Sequence, residues 1–218
     1  MATYLSIINQ VLVKLREPQV AAPNENEYSA LVGALVNETK REVEDAWRWT
    51  ALRQTIPVNT VGGTSQYSIT GAGKRFRLQD PLASVYDSTN KAYLTKGNAQ
   101  VMKRNALEDA EAGIPDSYYF EGFDVSDDPQ VTLHRTPNGV YAINFNLVVT
   151  QADLTAAGDT VDVPDWPVIL GTYAKAIAER GEDDGRSHGE ALNKYGFALS
   201  DAISIDESLT LDEATWYA

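Results

Sequence analysis

Gly185-Arg186-Ser187-His188-Gly189 has the spelling of a nucleophile elbow. In that motif a serine sits on a sharp strand-to-helix turn, and an acid and then a histidine downstream complete the triad that takes its proton. Here the residues before Ser187 read as a helix, and no histidine follows His188. The other histidine, His134, falls upstream in an expected strand. Ser187 with Glu190 three residues on instead fits a capping box at a helix start. No catalytic residue is assigned, and the expectation is that the protein is not an enzyme.

Two loops have the composition of ligand sites. Gly71-Ala72-Gly73-Lys74-Arg75 hints at a phosphate loop, but the Walker pattern asks for glycine at 68 and serine or threonine at 75, where this chain has Ser68 and Arg75. It also fails the dinucleotide fingerprint, because position 76 is Phe76. A turn is expected. Asp124-Val125-Ser126-Asp127-Asp128-Pro129 has the oxygen density of a calcium loop without its central glycine or terminal glutamate. With two histidines and no cysteine, a zinc set would have to lean on carboxylates. Neither a metal nor a cofactor is expected. Lys74, Arg75 and Arg77 form the basic run, which reads as a charged strand edge that discourages aggregation, with partner docking as its other use.

The 218 residues, 43 % of them hydrophobic, suffice for one large domain or two small ones. A formal charge of −13 argues against a surface that grips nucleic acid phosphates. The lack of cysteine excludes a disulfide framework. No apolar run approaches the length of a membrane span, and the first residues lack a signal peptide's basic start. A soluble protein made in the cytoplasm is expected, with no membrane partner.

Asn24 to Trp49 is the stretch that the other segments must pack on. Asn24 as cap and Glu27 as its capping-box partner open a long helix. Tyr28, Leu31, Val32, Leu35, Val36, Thr39, Val43, Ala46 and Trp47 recur on one face. Asn37, Glu38, Lys40, Arg41, Glu44 and Asp45 occupy the other, directed at water or a partner. A first helix over 3–17 ends at Glu17-Pro18. After Trp49 the period becomes two. A hairpin is expected from Leu52–Val58 through Gly62-Gly63 to Tyr67–Ile69, and then a strand through Arg75–Leu78. A second hairpin joins 84–86 to 91–94, and Asn98 caps a short helix over 99–111. Strands follow at 117–121, 130–135 and 140–149, the last two joined as a hairpin by Pro137-Asn138-Gly139. Pro164-Asp165-Trp166-Pro167 opens a third long helix, with Ile169, Leu170, Tyr173, Ala174 and Ile177 on its apolar face. Gly181–Gly185 makes a solvated turn, and Leu192, Tyr195, Leu199 and Ile203 line the last helix. Trp47, Trp49 and Trp166 are expected to fill the junction of helices and insertion. Trp216 and Tyr217 are either a frayed tail or a strap for a partner.

The expected fold is therefore α+β, a four-helix bundle from two N-terminal and two C-terminal helices with a β-rich insertion and an extended tail. Its bounds are 1–51 with 164–206 for the bundle, 52–163 for the insertion and 207–218 for the tail.

Several short pieces, in order, resemble one family. They are Leu15-Arg16-Glu17-Pro18-Gln19-Val20, Ala46-Trp47-Arg48-Trp49, Gly113-Ile114-Pro115-Asp116-Ser117-Tyr118-Tyr119, Leu133-His134-Arg135-Thr136-Pro137, Tyr141-Ala142-Ile143 and Val163-Pro164-Asp165-Trp166. Together the chain is similar to the head-to-tail adaptor (connector) proteins of tailed bacteriophages, the tail tubular protein A-like group. The resemblance implies a virion structural protein, a twelve-subunit ring under the portal protein that extends the DNA channel and carries the tail tube or nozzle. Genomic DNA would pass through without sequence-specific binding. It further implies portal binding by Leu209, Leu211, Trp216 and Tyr217, a subunit interface through Glu38, Arg41, Glu44 and Asp45, and tail-side docking by Lys74, Arg75 and Arg77. The competing readings are another virion component, such as a tail-completion or decoration protein, and a stand-alone module that binds carbohydrate or protein.

Overall fold

The computed structural model describes residues 2–80, 83–108, 112–181 and 186–209. In chain order these form helices α1 (Tyr4–Lys14) and α2 (Glu27–Ala46), then strands β1 (Arg53–Asn59), β2 (Gln66–Ser68), β3 (Arg77–Leu78), β4 (Val85–Asp87), β5 (Ala92–Tyr93) and β6 (Thr95–Lys96). Helix α3 (Ala99–Glu108) follows, then β7 (Ser117–Phe123), β8 (Pro129–His134), β9 (Ala142–Val148), α4 (Asp165–Arg180) and α5 (Arg186–Glu207). The class is mixed α and β, with five helices and two sheets among the described residues. The chain divides into two compact units, one of residues 1–52 and 151–218, the other of 53–150. The boundary falls at 150/151 rather than 163, because residues 151–163 fold with the helices.

In the helical unit α4 touches α1, α2 and α5, and α1 touches α2. Gly171 explains how closely the helices approach. A Cβ there would lie 2.5 Å from Thr39 Cγ2 of α2 and 3.0 Å from the Tyr195 ring of α5, so α4 is pressed against both neighbours at that point. Gly33 does the same where Tyr4 Oη of α1 meets α2. The cap of α2 is not Asn24. Asn26 holds the N-cap, its side chain accepting from Ser29 N at 2.7 Å while Ser29 Oγ accepts from Asn26 N. Serine thus takes the role assigned to Glu27, because with Asn26 as the cap the third helical position is Ser29 and Glu27 is the first.

The largest correction concerns the polar face of α2. Lys40 is fully buried and Glu44 is 2 % exposed. Their ammonium and carboxylate meet at 2.9 Å, and Lys40 Nζ also donates to the carbonyls of Gln151 and Ala152. Glu44 accepts in turn from Gln151 N. Asn37 completes the seam, donating to Leu154 O and accepting from Leu154 N. Of the face expected to meet water or a partner, Asn37, Lys40 and Glu44 are therefore covered by the returning segment 151–163, while Glu38, Arg41 and Asp45 stay exposed. The same segment pairs Thr160 with Thr3 and buries Leu154, Val161 and Val163. Leu31 and Ala46, expected on the buried stripe, are exposed. The N-terminal half of α5 departs from expectation too. Leu192 is exposed, and Ala191, Ala198 and Asp206 are the buried positions.

The second unit contains two sheets that share one core. One has the order β1-β9-β4-β5, with β3 also on β9; the other runs β2-β8-β7-β6, where β6 and β7 are parallel. Val131 and Leu133 of β8 and Ile143, Phe145 and Leu147 of β9 alternate inward with a period of two. The Tyr118 ring meets Phe145 edge-on with centroids 6.2 Å apart. The β4–β5 hairpin forms as expected, and Asn98 caps α3, accepting from Gln100 N at 2.9 Å. Neither glycine-signalled hairpin forms. Strand β1 pairs along its whole length with β9, from Arg53↔Val148 to Asn59↔Ala142, while β2 pairs with β8. The turns at Gly62-Gly63 and Pro137-Asn138-Gly139 each carry the chain from one sheet to the other. They hold one another through Gly63 N to Pro137 O and Thr60 Oγ1 to Gly139 O. Pro57 is tolerated in β1 because β1 is a sheet edge.

Substituting Lys40 with Met is expected to cost about 3–5 kcal/mol, since it strands the Glu44 carboxylate in the core. Urea unfolding measures this. The double variant Lys40→Met/Glu44→Leu should recover most of the loss, because no uncompensated charge remains.

Candidate interaction surface

The expected chemical motifs resolve into packing. Helix α5 begins at Arg186, so Ser187 stands inside its first turn rather than at the cap or on an elbow. His188 Nδ1 lies 3.0 Å from Ala174 O of α4. His134 belongs to β8 in the other unit. The glycine loop has a positive φ at Gly71 and Gly73, and its two amides converge on one oxygen, Asp128 Oδ1, at 2.9 and 3.2 Å. A carboxylate of the same chain thus takes the place that a phosphate would occupy in such a nest. The acidic turn is spent in the same way. Asp124 Oδ1 accepts from Ser126 N and Asp128 N. Hydrogen bonds from the Ser68 side chain, then from the Asp128 and Ser126 backbone, hold the Asp124 carboxyl below its ordinary range. Among the described residues no group of three or more histidines and carboxylates is arranged to hold a metal ion. Burial pushes the Tyr118 phenol up to about 12, so it stays protonated and serves packing.

The residues assigned to interfaces are scattered. Glu38 and Glu42 both pair with Lys175 of α4, at 2.7 and 2.8 Å, and Arg41 pairs with Asp153. Asp45 is exposed, whereas Glu44 is withdrawn into the core and cannot belong to an outer face. Lys74 pairs with Asp127 on the surface at 2.7 Å; Arg77 lies half-buried in β3, and Arg75 precedes it. Trp49 is buried with its Nε1 donating to Val43 O. Trp166, expected in the core, is 51 % exposed, and Lys14 Nζ stands over its ring at 5.0 Å. Leu209 is exposed; Leu211, Trp216 and Tyr217 lie outside the described residues.

What the helical unit does build is a groove of about 640 Å³ between the first turns of α4 and the second half of α5. Trp166, Pro167 and Leu170 form one wall; Phe197 and Ile205 form the other, and Leu209 stands at its end. Ala198 and Ala202 make the floor, their short side chains leaving the space open. Asp206 anchors the far end by accepting from Trp47 Nε1 at 3.0 Å and from Thr50 N at 3.1 Å. Phe197, Ile205 and Leu209 stand 73 %, 67 % and 69 % exposed. Such a cluster is characteristic of an interaction site. Sequence reasoning followed the buried stripe of α5 and passed over this one. The signal was present, because 197, 205 and 209 are eight and four residues apart and share a second helical face.

The described residues thus define a two-unit α+β protein with an apolar groove in its helical unit. The family model for the SU10 adaptor protein matches residues 2–214. The chain belongs to the SU10 adaptor protein family, and is a phage adaptor-type structural protein. No curated protein matches it.

Asp206→Ala leaves the Trp47 and Thr50 donors without their acceptor. It is expected to destabilise the helical unit by about 2–3 kcal/mol, read from chemical denaturation. A loss within the error of the measurement would show that this end of the groove is held by other contacts.

Proposed function

We propose that this protein is the head-to-tail adaptor of a tailed phage virion, in the manner of the tail tubular protein A-like group. The observation that carries the reading is the adaptor-family match, which runs through both units rather than one of them. In this reading α1, α2, α4 and α5 act as a four-helix bundle that builds a ring of twelve subunits beneath the portal. The ring continues the DNA channel, and the tail tube or nozzle attaches to its other side. The role is structural and requires no catalytic residue. The protein is made in the host cytoplasm and resides at the head-tail junction.

The charge supports this use. Each subunit carries a formal −13, and a ring multiplies that charge around a tunnel through which DNA must slide without adhering. The exposed residues Glu38, Arg41 and Asp45 of α2 are offered to the neighbouring subunit. Lys74, Arg75 and Arg77 of the β unit are offered to tail proteins. Leu209 with Leu211, Trp216 and Tyr217 forms the portal strap.

Negative-stain images of the purified protein, alone and mixed with the portal ring of the same phage, test the proposal. The expected result is a ring of defined rotational symmetry in at least one sample. A monomer that ignores the portal would overturn it. Trp216→Ser with Tyr217→Ser should keep the fold and abolish portal binding.

A further inference from the structure

Along the α4–α5 groove, helix α5 turns one stripe outward. Glu190, Lys194, Phe197, Asp201 and Ile205 recur on it at steps of three and four, all of them exposed, and Leu209 continues the row just past the helix end. We propose that this stripe is the contact surface for a second copy of the chain, whose α5 lies antiparallel to it about a two-fold axis. Three observations point to that occupant.

The first is shape. A two-fold contact uses the same patch on both subunits, so the patch must be complementary to itself. Here a projecting ring stands beside a low floor. Phe197 is 73 % exposed, and the short side chains of Ala198 and Ala202 line the groove next to it. The Phe197 ring of each copy settles on the alanines of the other, with Trp166 and Leu170 as the far wall.

The second is register. Lys194 and Asp201 are seven residues apart, and an axis passing between Phe197 and Ala198 lies midway between them. Each Lys194 then stands opposite Asp201 of the other copy, and one contact yields two charge pairs. An axis through Asp201 would instead set two carboxylates face to face, where they repel. The third is net charge. At −13 per chain, two copies repel over most of their surface. On this face the exposed cations Lys14 and Lys194 are matched by the exposed anions Glu190 and Asp201, so approach here is not opposed.

The inference does not rest on the adaptor reading. A two-fold contact closes after two copies and cannot propagate around a ring, so it describes the free subunit, whereas the portal-ring images test the assembled one. Where both hold, the pair separates before the ring forms.

Sedimentation equilibrium of the full-length protein at a series of dilutions provides the test. The expected result is a reversible dimer. Phe197→Asp should weaken it about a hundredfold or more, because it puts a carboxylate into an apolar groove in each half of the contact. Lys194→Asp alone and Asp201→Lys alone should each weaken it about tenfold, since each sets like charges together at two places. The double variant Lys194→Asp/Asp201→Lys exchanges the two signs and should return the dimer to within about threefold of the parent. Far-UV circular dichroism checks that each variant keeps its helices. A chain that stays monomeric up to about 1 mM overturns the proposal. So does a dimer that Phe197→Asp or the single reversals leave unchanged, or one that the double exchange fails to restore. Assemblies larger than a dimer, with no dimer at any dilution, overturn it as well.

Discussion

Lys40 is buried without exposure, and an ammonium in that position is tolerated only if every proton finds an acceptor. Its three acceptors are Glu44 and the carbonyls of Gln151 and Ala152, and two of these come from a segment more than a hundred residues further along the chain. Helix α2 therefore cannot reach its final state until the chain has left for the β unit and come back. The same seam carries Asn37, whose amide pairs with Leu154 as a neighbouring strand would. Lys40 is thus the point at which a helical unit split between two ends of the sequence becomes one body. Replacing such a charge pair by apolar residues can be neutral, but removing one partner is not. The pair ties the return segment to α2.

The β unit solves a different problem. Its two sheets must each turn an apolar face inward, and although β4–β5 and β7–β8 pair as successive strands, the chain changes sheet at Thr60–Gly63 and again at Pro137–Gly139. These two crossings meet, so that Thr60 receives from Tyr141 N and donates to Gly139 O. The unit also satisfies its own loop amides. Asp128 fills the nest at Gly71 and Gly73, and Asp124 ties the turn that presents it. Acidic residues that looked like ligands for something else are ligands for the backbone.

The groove between α4 and α5 follows from the same economy of side chains. Gly171 lets α4 press against α2 and α5 near its middle, while Ala198 and Ala202 leave the space open further along. Tight contact at one level and a gap at the next is what two helices produce when small residues are placed at both.

Local chemistry in the sequence was enough for the helices. Pro18 and Pro164 mark where α1 and α4 stop and start, and the three-and-four spacing of Val32, Leu35, Val36, Thr39 and Val43 identifies the buried side of α2. Asn98 as a cap and the β4–β5 hairpin were equally legible, because capping and tight turns are decided within a few residues. The partners of β1 and β8 were not legible. A Gly-Gly or Asn-Gly turn specifies a change of direction, and whether the chain then joins the same sheet or the opposite one depends on which apolar faces have to meet. Nor could the sequence show that Lys40 and Glu44 are buried. They are hydrophilic at helical spacing and would suit water equally well; what excludes water is a segment that arrives from residue 151. The groove was visible only as a second apolar stripe on α5, through Phe197, Ile205 and Leu209. Its meaning came from tertiary structure, which placed Trp166 and Leu170 across from it.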